Sequence, residues 1–259
     1  MLPGQKVYVG CCGFPISRKR YYSLFSIVEL QNTFYDLPDI SWFEALRKEA
    51  PENFIFSIKA WQVITHPSKS PTWKRIKQTL YGNIDNYGWL KPTKENFNAW
   101  NRIIEAARTL NAKFIVIQTP PSLPYTSESV KWIREFFSQI KPITPKGIHV
   151  GWEPRGEWIK EKALHDLAKI LEEYDIIHIV DLFKRKPLYK GGLLYTRLHG
   201  LDGEINYKYK YKDEDLEKLA KMIIDLGYRE NYVLFNNIYM LKDGQRFKEI
   251  AKMNGLETY

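Results

Sequence analysis

Short hydrophobic runs recur eight times along the chain, and each run ends in a polar or reactive side chain. Between most of the runs lie amphipathic segments whose apolar residues recur at helical intervals. This alternation predicts a parallel sheet covered by helices. The runs occupy residues 7–10, 27–30, 54–58, 114–117, 148–152, 176–180, 193–198 and 233–235. The main predicted helices occupy residues 40–50, 93–110, 127–140, 161–174, 213–226 and 245–253. Thr93 and Ser127 are the predicted N-caps of the second and third, which are expected to end at Asn111 and before Pro142.

Eight such strands predict an α/β fold of the TIM-barrel type, a (β/α)8 barrel. The 259 residues fit one barrel, which commonly takes roughly 200 to 250 residues, so we expect residues 1–259 to form a single domain. The alternation fails at residues 61–92, where aromatic residues are scattered without a clear period. We interpret this segment as a lid-like insertion after the third strand, over the barrel mouth, with helical turns around residues 72–80.

The polar strand ends are predicted to form one site, because the C-terminal strand ends of a barrel meet at one mouth. Glu29 lies within an apolar run, where a carboxylate is costly unless it is paired or bound to metal. Lys59 is predicted to enter the barrel interior, because Phe54, Phe56 and Ile58 occupy the other face of its strand. It could bind an anion, act as a base or pair with Glu29.

The later strand ends supply acids, arginines and a histidine. Glu153 and Asp181 follow the fifth and sixth runs, and Arg197 and His199 share one face of the seventh. Such a set can bind a divalent cation or share acid and base work, and Arg155 and Arg197 can hold phosphate or carboxylate. The sequence contains no HExxH, GxxxxGK[ST], GxGxxG or CxxC motif and so indicates no nucleotide cofactor.

Other polar residues near these strand ends each have two interpretations. His66 belongs either to the site or to the protein core. Cys11 and Cys12 are either activated thiols or buried, inert ones, which are commoner. Asn236 and Asn237 either hold a substrate or end a strand for local reasons.

Composition adds a preference for anionic partners. The net charge of +9 attracts phosphates or nucleic acid, although lysines are also common on solvated surfaces. Residues 207–212 alternate Tyr and Lys, which indicates either a surface for single-stranded nucleic acid, an edge hairpin or a solvated loop. Only two cysteines, no apolar signal core and no run of ~20 apolar residues predict a cytoplasmic protein without membrane contact.

Residues 28–38, VELQNTFYDLP, resemble the VE-x-N-x-TFY-x-x-P signature of the DUF72 family, also called YecE-like proteins. Residues 54–60 resemble the family's next strand. Further matches are Thr65-His66, Gln118-x-Pro120-Pro121, Glu153-x-Arg155 with Trp158, Asp181, Tyr195-x-Arg197-x-His199-Gly200 and Phe235-Asn236-Asn237. The resemblance implies a TIM-barrel-like fold and these site residues: Glu29, Tyr35, Lys59, His66, Gln118, Glu153, Arg155, Asp181, Arg197, His199 and Asn237.

Two departures from the family pattern limit what is carried over. Gln31 stands where the signature has Asn, which keeps an amide but changes its reach. Cys11-Cys12-Gly13-Phe14 stand where the family commonly has a Thr-Ser pair followed by Gly-Trp. Hydroxyl chemistry at that strand end is therefore not carried over.

Three functions fit these patterns. The leading hypothesis is a nuclease-like phosphodiester hydrolase acting on DNA or RNA, assisted by Mg²⁺, Mn²⁺ or Zn²⁺. Its predicted metal ligands are Glu29, Glu153, Asp181 and His199, and its predicted catalytic residues are these four and Lys59. Its predicted substrate contacts are Gln31, Tyr35, His66, Gln118, Arg155, Arg197, Asn236 and Asn237. The alternatives are a metal-free lyase or isomerase of a small anionic metabolite, with Lys59 or His199 as base, and a non-catalytic barrel that binds an anion.

Overall fold

The computed structural model describes residues 4–189 and 191–259. Within them the strands are β1 (Lys6–Cys12), β2 (Ile27–Leu30), β3 (Ile55–Lys59), β4 (Phe114–Gln118), β5 (His149–Glu153), β6 (Ile177–His178), β7 (Leu193–Leu198), β8 (Glu230–Phe235) and β9 (Glu257–Thr258). The α-helices are α1 (Arg18–Tyr22), α2 (Asn32–Tyr35), α3 (Ile40–Glu49), α4 (Gln62–Thr65), α5 (Lys94–Leu110), α6 (Ser127–Ile143), α7 (Glu161–Tyr174), α8 (Asp213–Leu226) and α9 (Met240–Met253). Short 3-10 helices cover Pro71–Arg75, Ile84–Asn86 and Gly156–Ile159.

The strand order is β6-β5-β4-β3-β2-β1-β8-β7, and β9 pairs with β1 outside this path. Next to β6, a parallel bridge joins Val180 to Thr196 of β7. Eight parallel strands in chain order, with helices in the crossovers, are the topology of a nearly closed (β/α)8 barrel. The fold predicted from the sequence is therefore confirmed.

Residue contacts divide the chain into two compact units, each built from separate segments. The first unit contains the described parts of Met1–Glu29, Ala50–Ile55 and Ile177–Tyr259. The second unit contains Leu30–Glu49 and Phe56–Ile176.

In the first unit, β1 pairs in parallel with β8, and β8 pairs with β7. The helix α8 covers this sheet because its apolar residues recur at helical spacing and are buried: Leu216, Leu219, Ala220 and Ile223. It ends at Gly227, whose φ of 74° lies in the left-handed region that glycine adopts without steric cost. The sequence predicted both ends of this helix.

In the second unit, β4 pairs in parallel with β3 on one side and β5 on the other. The helix α5 begins after Thr93, whose side chain accepts a hydrogen bond from the Asn96 N–H at 3.3 Å. It ends at Asn111, which has a φ of 52°. The predicted cap and end of this helix are both confirmed.

Two helices have other bounds than the sequence indicated. Ser127 is not the cap of α6, because Thr126 accepts the Ser129 N–H at 3.1 Å while Ser129 accepts the Thr126 N–H at 3.0 Å. The same helix continues through Pro142, in its last turn, where the Thr144 N–H donates to the Ile140 carbonyl at 3.0 Å.

The helix α9 begins at Met240 rather than at residue 245, and Gly244 lies inside it. A glycine in a helix costs about 1 kcal/mol relative to alanine, which is why the pattern predicted a later start. Here a Cβ at Gly244 would lie 3.1 Å from the Phe25 ring. The glycine therefore lets the helix approach that ring closely.

Residues 61–92 contain α4 and two short 3-10 helices, so the helical turns expected around residues 72–80 are limited to Pro71–Arg75. Three successive residues, Gly88, Trp89 and Leu90, have φ angles of 85°, 55° and 54°. Their N–H groups donate to the carbonyls of Val63, Thr65 and Ile64 at 2.7, 3.0 and 3.0 Å. The left-handed turn thus satisfies the carbonyls that α4 leaves free at its end. That the segment is a lid stays a prediction.

None of the helices in the described part of the chain is long and apolar enough to cross a membrane.

Candidate active site

In the second unit, Lys59 and His66 pack against the same aromatic ring. The Lys59 ammonium lies over the Phe34 ring, 4.0 Å from its centroid, and the His66 imidazole meets that ring edge-on, with centroids 5.0 Å apart. Lys59 and His66 are each 7% exposed. Thr33, beside Phe34, donates its hydroxyl to the Lys59 carbonyl at 2.7 Å. The contact between the ammonium and the ring is a cation–π interaction.

His66 is held in its uncharged form. Burial, followed by the charges of Lys59 and Arg155, lowers the pKa of His66 from 6.5 to about 3. Its Nδ1 is hydrogen-bonded to the Thr65 hydroxyl at 2.8 Å. His66 is therefore a buried imidazole whose pKa is lowered further by Lys59 and Arg155, which is a perturbation typical of functional sites.

Arg155 is paired within its own strand-end segment. Its Nε donates to Glu153 Oε1 at 2.8 Å, and its Nη2 lies 2.6 Å from the same oxygen. The Glu153 residue is 7% exposed and is the register partner of Gln118, which is 8% exposed. Glu153, Gln118 and Arg155 thus occupy neighbouring strand ends, as predicted.

Gln31 and Tyr35 are both half-buried. The Arg75 guanidinium lies over the Tyr35 ring, 4.3 Å from its centroid. Gln31 directly precedes α2. Their predicted role in substrate binding stays a prediction.

In the first unit, Glu29 is a buried acid with buried partners. Its Oε1 lies 2.9 Å from Arg197 Nη2, and its Oε2 accepts the Tyr195 hydroxyl at 2.9 Å. All three residues have no solvent-exposed surface. The expectation that Glu29 must be paired is met, and the partners lie far along the chain.

Asp181 and His199, also in the first unit, are joined through the backbone. Asp181 Oδ2 accepts the His199 N–H at 2.9 Å, and Oδ1 accepts the Phe183 N–H at 3.1 Å. The His199 Nδ1 lies 3.7 Å from Asp181 Oδ2. The carboxylate therefore fixes the end of β7 and the segment that follows β6.

Asn237 holds a loop. Its Nδ2 donates to the Tyr209 carbonyl and to Asp243 Oδ2, both at 2.7 Å. Asp243 is buried, and this burial raises the pKa of its carboxyl group. Asn236 is half-buried, and its N–H donates to the Leu198 carbonyl at 2.9 Å.

Both cysteines are buried and unoxidised. Burial raises the pKa of the Cys11 thiol to about 12. Burial, followed by the charge of Glu29, raises the pKa of Cys12 well above its ordinary value. Since the thiolate is the reactive form, the interpretation of both as inert thiols is favoured.

The predicted metal ligands do not fit a divalent ion as they stand. Among residues 4–189 and 191–259, no group of three or more His, Cys, Asp or Glu side chains is arranged to hold a metal. The three carboxylates of the predicted set instead accept hydrogen bonds or ion pairs from arginine, tyrosine and backbone N–H groups. The physical reason is that each of these acids already accepts a hydrogen bond or an ion pair from the protein.

Three residues that shape these clusters were not among the predicted site residues: Tyr195, Phe34 and Asp243. Tyr195 shares a strand face with Arg197 and His199, so the alternation rule that linked the other two could have found it. Phe34 and Asp243 carried no such signal, because their roles depend on packing between elements that are distant in sequence.

Comparisons with known proteins agree with this architecture. The family model "Protein of unknown function DUF72" matches residues 17–257. A search of curated protein sequences found no match. A DUF72 family protein from Thermotoga maritima is 23% identical, with a TM-score of 0.66 over 96% of this chain and 100% of that one. A DUF72 family protein from Enterococcus faecalis is 18% identical, with a TM-score of 0.71 over 96% and 99%.

Endonuclease IV from Thermus thermophilus shares the fold at 10% identity, with a TM-score of 0.55 over 97% of this chain and 100% of that one. A likeness at this identity shows the fold alone. The family model, by contrast, covers nearly the whole chain and confirms the resemblance carried by residues 28–38. The chain is therefore a member of the DUF72 family.

Proposed function

We propose that this chain is an enzyme that uses acid–base chemistry on an anionic substrate bearing a phosphate group. The observation that carries the proposal is the packing of His66 and Lys59 against the one Phe34 ring in the second unit, where burial and the charges of Lys59 and Arg155 lower the pKa of His66. Lys59 supplies a point charge, and Arg155 supplies planar N–H donors suited to phosphate oxygens. A bound phosphate would offset the charges of Lys59 and Arg155 and raise the pKa of His66, so that the imidazole could accept a proton from a group bound there.

The role of His66 depends on its tautomer. The Thr65 hydroxyl lies 2.8 Å from His66 Nδ1 and 3.4 Å from the Gln62 carbonyl. In the tautomer that we assign, Nδ1–H donates to the Thr65 oxygen, and Nε2 carries the lone pair. We assign Nε2 as the general base.

Phosphodiester hydrolysis is the reaction that we place first, because the net charge of +9 favours a polyanionic substrate. Water adds across one P–O bond. Its oxygen forms the new bond to phosphorus, and Nε2 takes one of its protons. The leaving oxygen keeps the electron pair of the broken bond and takes a proton from the imidazolium or from solvent. No step is assigned to a metal, since the acids do not form a metal-binding group.

A metal-free lyase or isomerase acting on a small phosphorylated metabolite is the second candidate. It is supported by the same cluster, because a neutral imidazole beside two cations also suits removal of a C–H proton near a bound anion. The two candidates differ in the bond that breaks. Cleavage of bis(p-nitrophenyl) phosphate supports the first, and deuterium uptake from D₂O into a phosphorylated hydroxyketone supports the second.

Binding of inorganic phosphate to the full chain tests the shared part of the proposal. Lys59→Met removes the charge and keeps the alkyl stem over Phe34, so we expect affinity to fall about 10- to 100-fold, as for loss of a charged hydrogen bond. Lys131→Met removes one charge from an exposed position of α6 and should leave affinity unchanged. Equal losses in the two variants would show that only overall charge matters and would contradict the proposal.

Turnover in the presence and absence of EDTA tests the chemistry. We expect turnover to persist in EDTA and to fall about 100-fold or more in His66→Asn, the usual contribution of a general base. Turnover that disappears in EDTA and returns with Mg²⁺, Mn²⁺ or Zn²⁺ would instead support metal-assisted hydrolysis.

A further inference from the structure

Exposed apolar side chains gather on one surface of the first unit, between the end of β7 and the start of α9. We call the four residues Ile205, Tyr207, Ile238 and Tyr239 the aromatic ledge. Their exposed fractions are 41%, 45%, 64% and 37%. Of the ten large hydrophobic side chains exposed in the described part of the chain, four lie here. Exposed apolar groups that cluster in this way mark interaction sites more often than isolated ones do.

The backbone under the aromatic ledge is held by hydrogen bonds. The Ile238 N–H donates to the Tyr207 carbonyl at 2.8 Å, which joins the two segments of the ledge. The Asn206 N–H donates to the His199 carbonyl at 2.7 Å, and Asn237 holds the Tyr209 carbonyl at 2.7 Å. The ledge is therefore pre-organised, so a ligand would bind with little loss of backbone entropy.

The three tyrosines of residues 207–212 have different roles. The Tyr209 hydroxyl donates to Asp215 Oδ2 at 2.8 Å, and the Tyr211 hydroxyl accepts the Gly200 N–H at 2.7 Å. These two rings are structural. Tyr207 is the most exposed of the three, and its ring lies 6.1 Å from the His199 ring, so it extends from a strand end to solvent.

The aromatic ledge carries positive charge as well. Lys208 and Lys210 are exposed, and neither has an acidic partner within 4 Å among residues 4–189 and 191–259. The Lys210 ammonium lies 6.0 Å from the Tyr239 ring centroid.

The acids nearby are largely occupied. Glu204 pairs with Arg185 at 2.6 Å, and Asp213 pairs with Arg246. Asp215 accepts the Tyr209 hydroxyl and the Lys212 N–H. Lys208 and Lys210 are therefore cations that a ligand on this surface can contact, and Asp202 is an exposed acid near the same segment.

We propose that the aromatic ledge binds single-stranded nucleic acid, with bases stacked on Tyr207 and Tyr239 and backbone phosphates held by Lys208 and Lys210. Exposed aromatic rings that alternate with cations suit an unpaired polynucleotide. Each base offers a flat face that can stack on a ring, and each nucleotide carries a negative charge. A ligand that is only anionic would have no use for the exposed rings. A ligand that is only apolar would have no use for the lysines. The proposal stands independently of the reaction assigned to His66.

Fluorescence anisotropy with a labelled short oligothymidylate, titrated with the full chain, tests this proposal. Tyr207→Ala should weaken binding about 5-fold or more, as expected for loss of one stacked base, whereas Tyr207→Phe should bind like the unaltered chain because stacking needs no hydroxyl. Tyr81→Ala removes an exposed tyrosine, 56% exposed, from the second unit and should have no effect.

The salt dependence reports the phosphate contacts. Replacing both Lys208 and Lys210 with alanine should reduce the magnitude of the slope of log affinity against log salt by about 1.4, since each single-strand phosphate contact contributes about 0.7. Lys221→Ala, an exposed lysine of α8, should leave the slope unchanged.

Three results would overturn the proposal: no binding to the oligonucleotide, equal affinity for a duplex of the same length or for polyphosphate, or equal affinity in Tyr207→Ala and the unaltered chain. Thermal unfolding of each variant distinguishes lost binding from lost structure. If Tyr207→Ala lowers the unfolding temperature, Tyr207→Lys replaces it in the binding experiment, because lysine keeps an alkyl stem and adds a positive charge. Weaker binding by that variant supports stacking, and tighter binding would contradict it.

Discussion

In the first unit the buried acid Glu29 is matched by Arg197 and Tyr195, whereas in the second unit the buried cation Lys59 lies on an aromatic ring and shares the surroundings of His66 with Arg155. In the first arrangement, the buried acid is paired with buried side chains of the protein. In the second, burial and then the charges of Lys59 and Arg155 lower the pKa of a histidine. A polar side chain at a strand end is therefore not by itself evidence of chemistry. Its neighbours decide whether it holds the fold together or perturbs a titratable group beside it.

The largest expected effect is loss of the Glu29 ion pair. Arg197→Met leaves a buried carboxylate without its cation, and we expect the free energy of unfolding to fall by about 3–5 kcal/mol. Urea denaturation followed by circular dichroism measures it. Arg134→Met is the matched control, because its partner Glu173 is 49% exposed and such a surface pair contributes at most about 1 kcal/mol. A similar loss of unfolding free energy in both variants would show that the buried pair is no more stabilising than the surface pair.

The second expected effect is a pH dependence of the free energy of unfolding that comes from His66. The pKa of His66 is about 3 when folded and 6.5 ordinarily, so between these values the unfolded chain binds a proton that the folded chain does not. The stabilisation is present above pH 6.5 and is lost as the pH falls toward 3, at about 1.4 kcal/mol per pH unit. The difference in unfolding free energy between the unaltered chain and His66→Asn should show this slope. A difference independent of pH would contradict the neutral, cation-flanked assignment.

A smaller effect is expected at Asn237, whose amide joins Tyr209 and Asp243 in the first unit. Asn237→Ala leaves a buried carboxylate with one donor fewer, so unfolding should become easier by about 1–3 kcal/mol. Asn236→Ala, at a half-buried neighbouring position, should cost less. Thermal melts compare the two, and an equal loss would show that the loop is not held by the Asn237 amide.

The smallest expected effect is at the cysteines. Because burial raises the pKa of Cys11 to about 12, the folded chain should resist iodoacetamide at neutral pH, and both thiols should react only after unfolding in urea. Mass spectrometry counts the added groups. Rapid alkylation of Cys11 in the folded chain would contradict the inert interpretation.

The strands and the main helices were largely predictable, because hydrophobic period and local caps decide them within short segments. The ends of α5, α7 and α8 match their predicted bounds to within a residue. The exceptions have local physical reasons: Pro142 is tolerated in a last turn, and Gly244 is needed where α9 approaches Phe25.

The site was predictable only in part. An acid inside an apolar run has to be paired, so Glu29 was identifiable, but its partners Arg197 and Tyr195 come from a strand far along the chain. Residue type alone suggested that the carboxylates would hold a metal. The donors they meet instead are set by tertiary packing, which spacing along the chain does not contain. Likewise, the tyrosines of residues 207–212 look alike in sequence and differ only in the partners that the fold gives their hydroxyl groups.

Isothermal titration calorimetry of phosphate binding, repeated in buffers with different ionisation enthalpies, measures whether His66 takes up a proton when phosphate binds. A bound phosphate would offset the charges of Lys59 and Arg155 and so raise the pKa of His66. We expect net proton uptake on binding at mildly acidic pH, and no such uptake from this group in His66→Asn. Phosphate binding with the same proton uptake in His66→Asn, or no phosphate binding at all, would contradict this expectation.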